Sequence, residues 1–380
     1  MSIKDAFVPQ HASEEAGKNA SKVGDVFRVE GQDRIFIKSG DNSSKQLKMD
    51  ADTYLKLYPP VERYSSCQGA NGDCYLLSTI NSIMENPYAR TALYECFTQE
   101  GNNITIQLPD SPVKVTLEDG KLPKGADYEK YSDGPLGMKL LEHAYGLDFE
   151  QNKYNEYKQV MSKEYEKMER DLAKWQKKQP QDNLALKKQK EITERIANWK
   201  SGEAKVDAAM QDPEHKLTFV LDDYDDFVIG KWGPMTENVN ELDSEYKYPA
   251  NYYTGGVGGY TSVATTNFGF KADSYLVGQD DKKLDKVLFA ENPDDYIISA
   301  GTPASEEGME SDVDPSYSVY SSHAYKVLPF DDENGQRMFK VTNPWNQSHR
   351  VIMDIDTLKA YFEDFTVARV NQEEANRKAA

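Results

Sequence analysis

The stretch "QGANGDCYLL", residues 68 to 77, sets a thiol at the mouth of an apolar run. A sulfur in that place sits at a helix N-terminus, where unpaired amides and aligned peptide dipoles favour the thiolate. Gly72 removes side-chain bulk just ahead of Cys74, so another chain can approach the sulfur. Gln68, six residues earlier, carries an amide that can join the Cys74 backbone N–H in holding one oxyanion. A cysteine that opens a helix is by itself more often a buried small apolar residue. Glutamine, five residues and a cysteine at a helix start make a more specific pattern.

A thiol nucleophile needs a base. The histidines are His11, His143, His215, His323 and His349. His11 lies in a polar start, His143 reads as a structural residue inside an apolar helix, and His215 borders a charged stretch. His323 opens an alternating strand, and the triplet Asn343-Pro344-Trp345 closes the next one. The turn "FDDENGQ" between them allows three registers. Pairing symmetric about Glu333 sets His323 opposite Asn343, with Cβ atoms about 5 Å apart. A three-residue loop closing on Gly335 shifts the register by two and keeps both side chains on one face. A two-residue Asn334-Gly335 turn puts them on opposite faces. On a shared face Asn343 can bond one imidazole nitrogen and leave the other for the thiol, the arrangement of nucleophile, base and orienter. Trp345 then shields that bond from water, or else packs in the core as an isolated tryptophan does.

Several elements must position these groups. From Cys74 the apolar residues Leu76, Leu77, Ile80, Ile83 and Met84 follow a 3.6-residue repeat, with Asp73 as N-cap and Asn86-Pro87 as the stop. Ahead of it, "VFRVEGQDRIFIKS" predicts two short strands and "DADTYLKLY" a short helix. Beyond it, Ile104 to Leu117 predicts a hairpin and "GPLGMKLLEHAYG" a buried helix bounded by glycines. Composition changes near residue 150. Between 151 and 205 there are 14 Lys/Arg against 9 Asp/Glu, and a stripe from Tyr154 to Trp175 resumes at Ile192, Ile196 and Trp199. This predicts an inserted antiparallel α-helical hairpin with arms of about 20 residues. A glycine cluster at 253–270 follows, and then strands at "KVLFA", "DYIISA", "SHAYKVLPF", "RMFKVTNPW" and "RVIMDI", with a final helix at "DTLKAYFEDF".

The 380 residues carry 38% apolar and 29% charged side chains, too apolar for general disorder. A net charge of −19 argues against nonspecific binding of nucleic acid or anionic lipid. No window is apolar and long enough to span a membrane, and the first thirty residues lack a secretory signal. Cys67, Cys74 and Cys96 form neither a disulfide framework nor a zinc site, so a cytoplasmic location, or delivery by a non-classical route, is expected.

Six blocks in one order resemble the calpain protease core. "QGANGDCYLL" is similar to its nucleophile motif, "MKLLEHAYG" to its second buried helix, and "GGVGGYTSVATTNFGF" to its Gly-Gly-x-Thr-Ser segment. "SHAYKV" is similar to Gly-His-Ala-Tyr-Ser-Val, "VTNPW" to Arg-Asn-Pro-Trp, and "MDIDTLKAYFEDFTV" to the closing helix and strand. The resemblance implies an α+β, papain-like core of two lobes, one helical with the nucleophile and one of antiparallel β-structure. It implies Cys74 as nucleophile, His323 as general base and acid, Asn343 as orienter and Gln68 as oxyanion donor, with Gly255 and Gly256 lining the cleft. Tyr75 stands in place of the family's tryptophan. Ser65 stands where calpains carry an aspartate that binds calcium, although Glu142 matches a ligand position. "NQSHRV" replaces the acidic loop of the second ion.

The expected organisation is a polar N-terminal segment with a short β-hairpin (1–45), a nucleophile lobe (46–150), the helical insertion (151–215), a β-rich lobe with His323 and Asn343 (216–370) and a polar tail (371–380). The expected function is a calpain-like, calcium-independent cysteine endopeptidase without cofactor or bound metal. Its partners are a protein or peptide substrate and a protein partner at 151–205. The alternatives are a transglutaminase-type acyl transfer and an inactive protease-fold interaction protein.

Overall fold

The computed structural model describes residues 26–28, 34–38, 44–58, 67–69, 73–121, 131–178, 182–211, 221–222, 226–227, 260–303 and 319–370. Gly72, Gly255, Gly256, Ser65, His11 and His215 lie outside these residues. The chain is α+β, its sheets antiparallel. It divides into two compact units. One comprises Met1–Leu122, Tyr128–Tyr145 and Gly256–Ala380, and the other Pro123–Asp127 and Gly146–Gly255.

In the first unit, β1 (Val26–Arg28), β2 (Arg34–Lys38) and β3 (Ser44–Asp50) form a small sheet. The third strand was not expected, because "SKQLKMD" carries only Leu47 and Met49 as alternating apolar residues. Asp50 ends it and caps α1 (Ala51–Leu57) through a 2.8 Å bond from the Thr53 N–H. Helix α2 (Cys74–Glu85) ends at Asn86 as its sequence predicts. It is buried on every side from Cys74 to Met84, not along one stripe. Its polar residues survive burial by bonding back one turn: Ser78 and Thr79 to the Tyr75 carbonyl, Ser82 to that of Ser78. A one-turn helix α3 (Thr91–Glu95) leads into the sheet of β4 (Phe97–Glu100), β5 (Asn103–Ile106) and β6 (Val115–Leu117), which contains the expected hairpin. In the second unit β7 (Leu221–Asp222) and β8 (Asp226–Phe227) form a short antiparallel pair.

The other half of the first unit is a six-stranded sheet. Its strands are β9 (Ala272–Leu276), β10 (Tyr296–Gly301), β11 (Ala324–Asp331), β12 (Arg337–Asn343), β13 (Asn346–Met353) and β14 (Asp364–Arg369), in the order β13-β12-β11-β10-β14-β9. The "KVLFA" stretch is not a strand. It ends an amphipathic helix, Asp281–Leu288, in which Leu284, Val287 and Leu288 recur at helical spacing and face the core. That helix and Ile355–Tyr361 supply Leu284, Leu288 and Leu358 to a core shared with Tyr325, Val327, Phe339, Val341 and Phe365. Helix α2 meets the sheet through polar contacts: Ser82 donates to the Ile298 carbonyl at 3.2 Å, and Asn86 Nδ2 to those of Asp294 and Tyr296 at 2.9 and 3.1 Å. Beside them Lys326, buried in β11, pairs with Glu85 at 3.0 Å.

The buried helix expected at 134–146 does not stop at Gly146. It continues as one helix, Leu136–Gln176. A helix interior tolerates one glycine at about 1 kcal/mol relative to alanine. Its partner in the second unit runs Asn183–Gln211, so both arms exceed the expected length. The break between them falls in "KKQPQDN", where the sequence places it. The pairing is antiparallel: Tyr154 Oη donates to Asp207 at 2.8 Å, Lys158 bonds Glu203 and Asp207, Tyr165 meets buried Trp199, and Gln189 Nε2 donates to the Trp175 carbonyl at 3.0 Å. The aromatic stripe is the seam between the arms.

Candidate active site

The hairpin of β11 and β12 decides whether a base and its orienter share a face. Its register pairs Lys326 with Thr342 and Asp331 with Arg337, the one of the three in which a three-residue loop closes on Gly335. Asp332 selects that loop over the two-residue Asn-Gly turn. Its Oδ1 accepts from the Asn334 and Gln336 N–H groups, both at 2.8 Å, and Gly335 takes the left-handed φ of 77° that the closure requires. Extended by one residue, that register sets Asn343 level with Tyr325, on the face of the sheet that His323 shares.

The two side chains meet. His323 Nε2 lies 2.9 Å from Asn343 Oδ1, and the same oxygen accepts from the Trp345 backbone N–H at 2.8 Å. A backbone N–H only donates, so that atom of Asn343 must be the oxygen, and Nε2 must carry the imidazole proton. Nδ1 keeps the lone pair. The ring is enclosed by aromatics: Trp345 at 4.3 Å between centroids, Tyr325 edge-on at 4.9 Å and Tyr320 edge-on at 6.5 Å. Trp345 lies over the imidazole with 48% of its own surface exposed, so it covers the His–Asn bond on the solvent side.

The sulfur of Cys74 lies close enough to the residue after His323 for the Ala324 backbone to favour its thiolate, against the effect of burial. Gln68 is tied to the same locale, since its backbone N–H donates to the Pro344 carbonyl at 2.7 Å. Cys67, one residue earlier, is pinned by reciprocal bonds with Asp133, at 2.7 Å from its N–H to Oδ1 and 3.0 Å to its carbonyl. The side chains named from the sequence thus converge in pairs: His323 with Asn343 and Trp345, Cys74 with the start of β11, and Gln68 with the segment after Asn343.

Electrostatics differ from the expectation of a thiolate. Burial pushes the Cys74 thiol up to about 11, outweighing the opposing backbone groups of Ala324 and of Cys74 itself, and the neighbouring Asp73 adds to the rise. Burial pushes His323 down to about 4 against the opposing bond from Asn343. Both groups are neutral near pH 7. Removal of the sulfur from water dominates over the nearby backbone groups.

Asp73 is not the N-cap its type suggested. Its side chain makes no capping bond. The carboxyl is fully buried, and burial together with the adjacent Glu142 raises it well above the usual carboxylate range. Glu142 also accepts from the Ser132 N–H at 3.0 Å. Glu142 is thereby engaged with groups of the protein itself. Among the described residues no group of three or more His, Cys, Asp and Glu side chains could hold a metal.

Three contributors escaped the sequence: the aromatic enclosure by Tyr320 and Tyr325, the Asp73–Glu142 pair, and the Lys326–Glu85 bridge. Tyr325 alone had a signal, its place two residues after His323 in a strand. His143 is structural as expected, buried and bonded at Nδ1 to Tyr131 Oη at 3.1 Å. Cys96 is buried with its thiol on the Ala92 carbonyl at 3.3 Å, and burial raises it to about 12. All three cysteines are free. No family model matches the chain, and no curated protein is similar to it.

Proposed function

We propose that the chain is a calpain-like cysteine endopeptidase with a papain-like core, acting on a protein or peptide substrate without calcium. One observation supports the reading: the His323–Asn343 bond, its tautomer fixed by the Trp345 N–H, stands at the start of the strand whose Ala324 backbone acts on the Cys74 thiol. The residue types are those that thiol hydrolysis needs.

In this reading Nδ1 of His323 takes the thiol proton as the sulfur attacks a peptide carbonyl carbon, while Asn343 holds the Nε2 proton. The tetrahedral oxyanion is held by the Cys74 N–H and the Gln68 side-chain amide. The Nδ1 proton then passes to the leaving amine, the C–N bond breaks, and a thioester remains on Cys74. Water, activated by the same nitrogen, hydrolyses the thioester and restores the thiol.

The neutral, buried pair favours a second reading, a protease fold at rest. With the thiol at about 11 and the imidazole at about 4, charge separation is opposed until substrate or lobe movement changes the solvation of the site. Hydrolysis of an unfolded protein by the full chain, read by mass spectrometry with chelator and with added calcium, separates these. Cleavage equal in both solutions, absent in Cys74→Ala and reduced at least about a hundredfold in His323→Ala supports the endopeptidase. Amine incorporation without cleavage would assign acyl transfer, and inertness of the native chain towards every substrate the resting form.

A further inference from the structure

We propose that the tip of the helical hairpin is a peripheral contact for an anionic lipid surface. The chain's net charge is −19, but residues 174–190 hold six lysines and a single acid, Asp182. Asp182 is occupied: its Oδ1 accepts from the Leu184 and Ala185 N–H groups at 2.9 and 3.2 Å, capping the second arm. Lys188 and Lys190 have carboxylate partners in Glu191 and Glu194. Lys174, Lys177, Lys178 and Lys187 are exposed and form no salt bridge among the described residues, Lys187 acting on Glu191 only at longer range. The contact between Gln189 and Trp175 holds the two arm ends together, so these four charges share one end of the hairpin.

The same end exposes two leucines. Leu184 and Leu186 are 56% and 49% exposed, while Ala185 between them is buried in the seam. Farther down the arms the pattern reverses, with Lys158 paired to Glu203 and Asp207 and Met161 and Trp199 buried. Unpaired cations with exposed aliphatic side chains at one extremity are the composition of an interfacial anchor.

The chemistry of the tip discriminates among anionic partners. All six cations are lysines, compact point charges, with no arginine to grip phosphate in a fork. A sheet of anionic headgroups needs no fork, and its interface accepts leucine. Each lysine that reaches such a surface strengthens binding about fivefold.

The test is co-sedimentation of the full chain with vesicles of phosphatidylcholine alone and with about one third phosphatidylserine, at about 0.1 M and about 0.5 M salt. The chain should bind the serine-containing vesicles at low salt only. Lys177→Glu/Lys178→Glu/Lys187→Glu should abolish binding and Leu184→Ser/Leu186→Ser weaken it about tenfold, both with unchanged helicity by circular dichroism. Cys74→Ala should bind as the wild type does, because this contact is independent of the protease reading. Binding unaltered by charge reversal, or absent from every vesicle while the tip captures polyglutamate, would overturn the proposal. The second of those results would return the arm to a protein partner.

Discussion

Replacing Asn343 with aspartate keeps the shape of the side chain and both of its acceptor contacts, 2.9 Å to His323 Nε2 and 2.8 Å from the Trp345 N–H, and adds one negative charge. In the native chain burial among aromatic rings holds the imidazole at about 4. Two unit charges about 4 Å apart interact by about 4 kcal/mol at an effective dielectric of 20, equivalent to about three pH units. The new carboxylate is itself buried, which returns part of this, and the two groups titrate as a pair. His323 should therefore move from about 4 towards neutrality, by roughly one to three units. Titration of the imidazole Cε1–H resonances by NMR, with His323 assigned by His323→Gln, reads the shift directly. Stability carries the same sign. The native His323 binds its proton less readily folded than unfolded, so its contribution is present above pH 6.5 and is lost as pH falls to about 4. The loss is roughly 3 kcal/mol over that window, and Asn343→Asp should shrink it. A wild-type His323 that titrates near 6.5, or one that the Asn343→Asp substitution leaves in place, would refute the buried, Asn-held imidazole.

Three further outcomes follow from single contacts. Asp73 has a folded pKa raised by burial and by Glu142, so its cost is nil below about pH 4, where both states are protonated, and grows as pH rises towards the folded value. Asp73→Asn should raise the melting temperature near neutral pH, with the gain vanishing towards about pH 4 in a pH series of thermal melts. Gly335→Ala meets no atom within 4 Å but must adopt a φ of 77°, so it should cost about 1–2 kcal/mol in urea denaturation through backbone strain alone. Glu85→Gln leaves Lys326 charged and buried, and should lower stability by about 3 kcal/mol, while Glu85→Leu with Lys326→Met recovers most of it.

Where periodicity was long and one-sided the sequence was legible. Helix α2 runs from Cys74 to Glu85 as its apolar spacing and Asn86-Pro87 dictate, and β10 to β13 fall on their alternating stretches. The pairing of His323 with Asn343 was legible only as one of three registers, because a side-chain decision at Asp332 chooses the loop. Short elements were lost: "SKQLKMD" and "ADSYL" become strands by pairing with neighbours elsewhere in the chain, and "KVLFA" reads as β-branched until Leu284 completes the helical face. Charge states were the least legible. The helix start at Cys74 argues for a thiolate, and only the packed surroundings reveal that desolvation outweighs it. Asp73 reads as a cap until Glu142, far along the chain, is brought beside it.

The most direct test is covalent trapping of the native chain with a peptidyl electrophile, read by intact mass and peptide mapping. One adduct per chain should form, on Cys74, at least about a hundredfold more slowly in His323→Ala. Cys67, the less buried thiol, and the buried Cys96 should stay unlabelled. Equal rates with and without the imidazole, or a label that lands on Cys67, would contradict it.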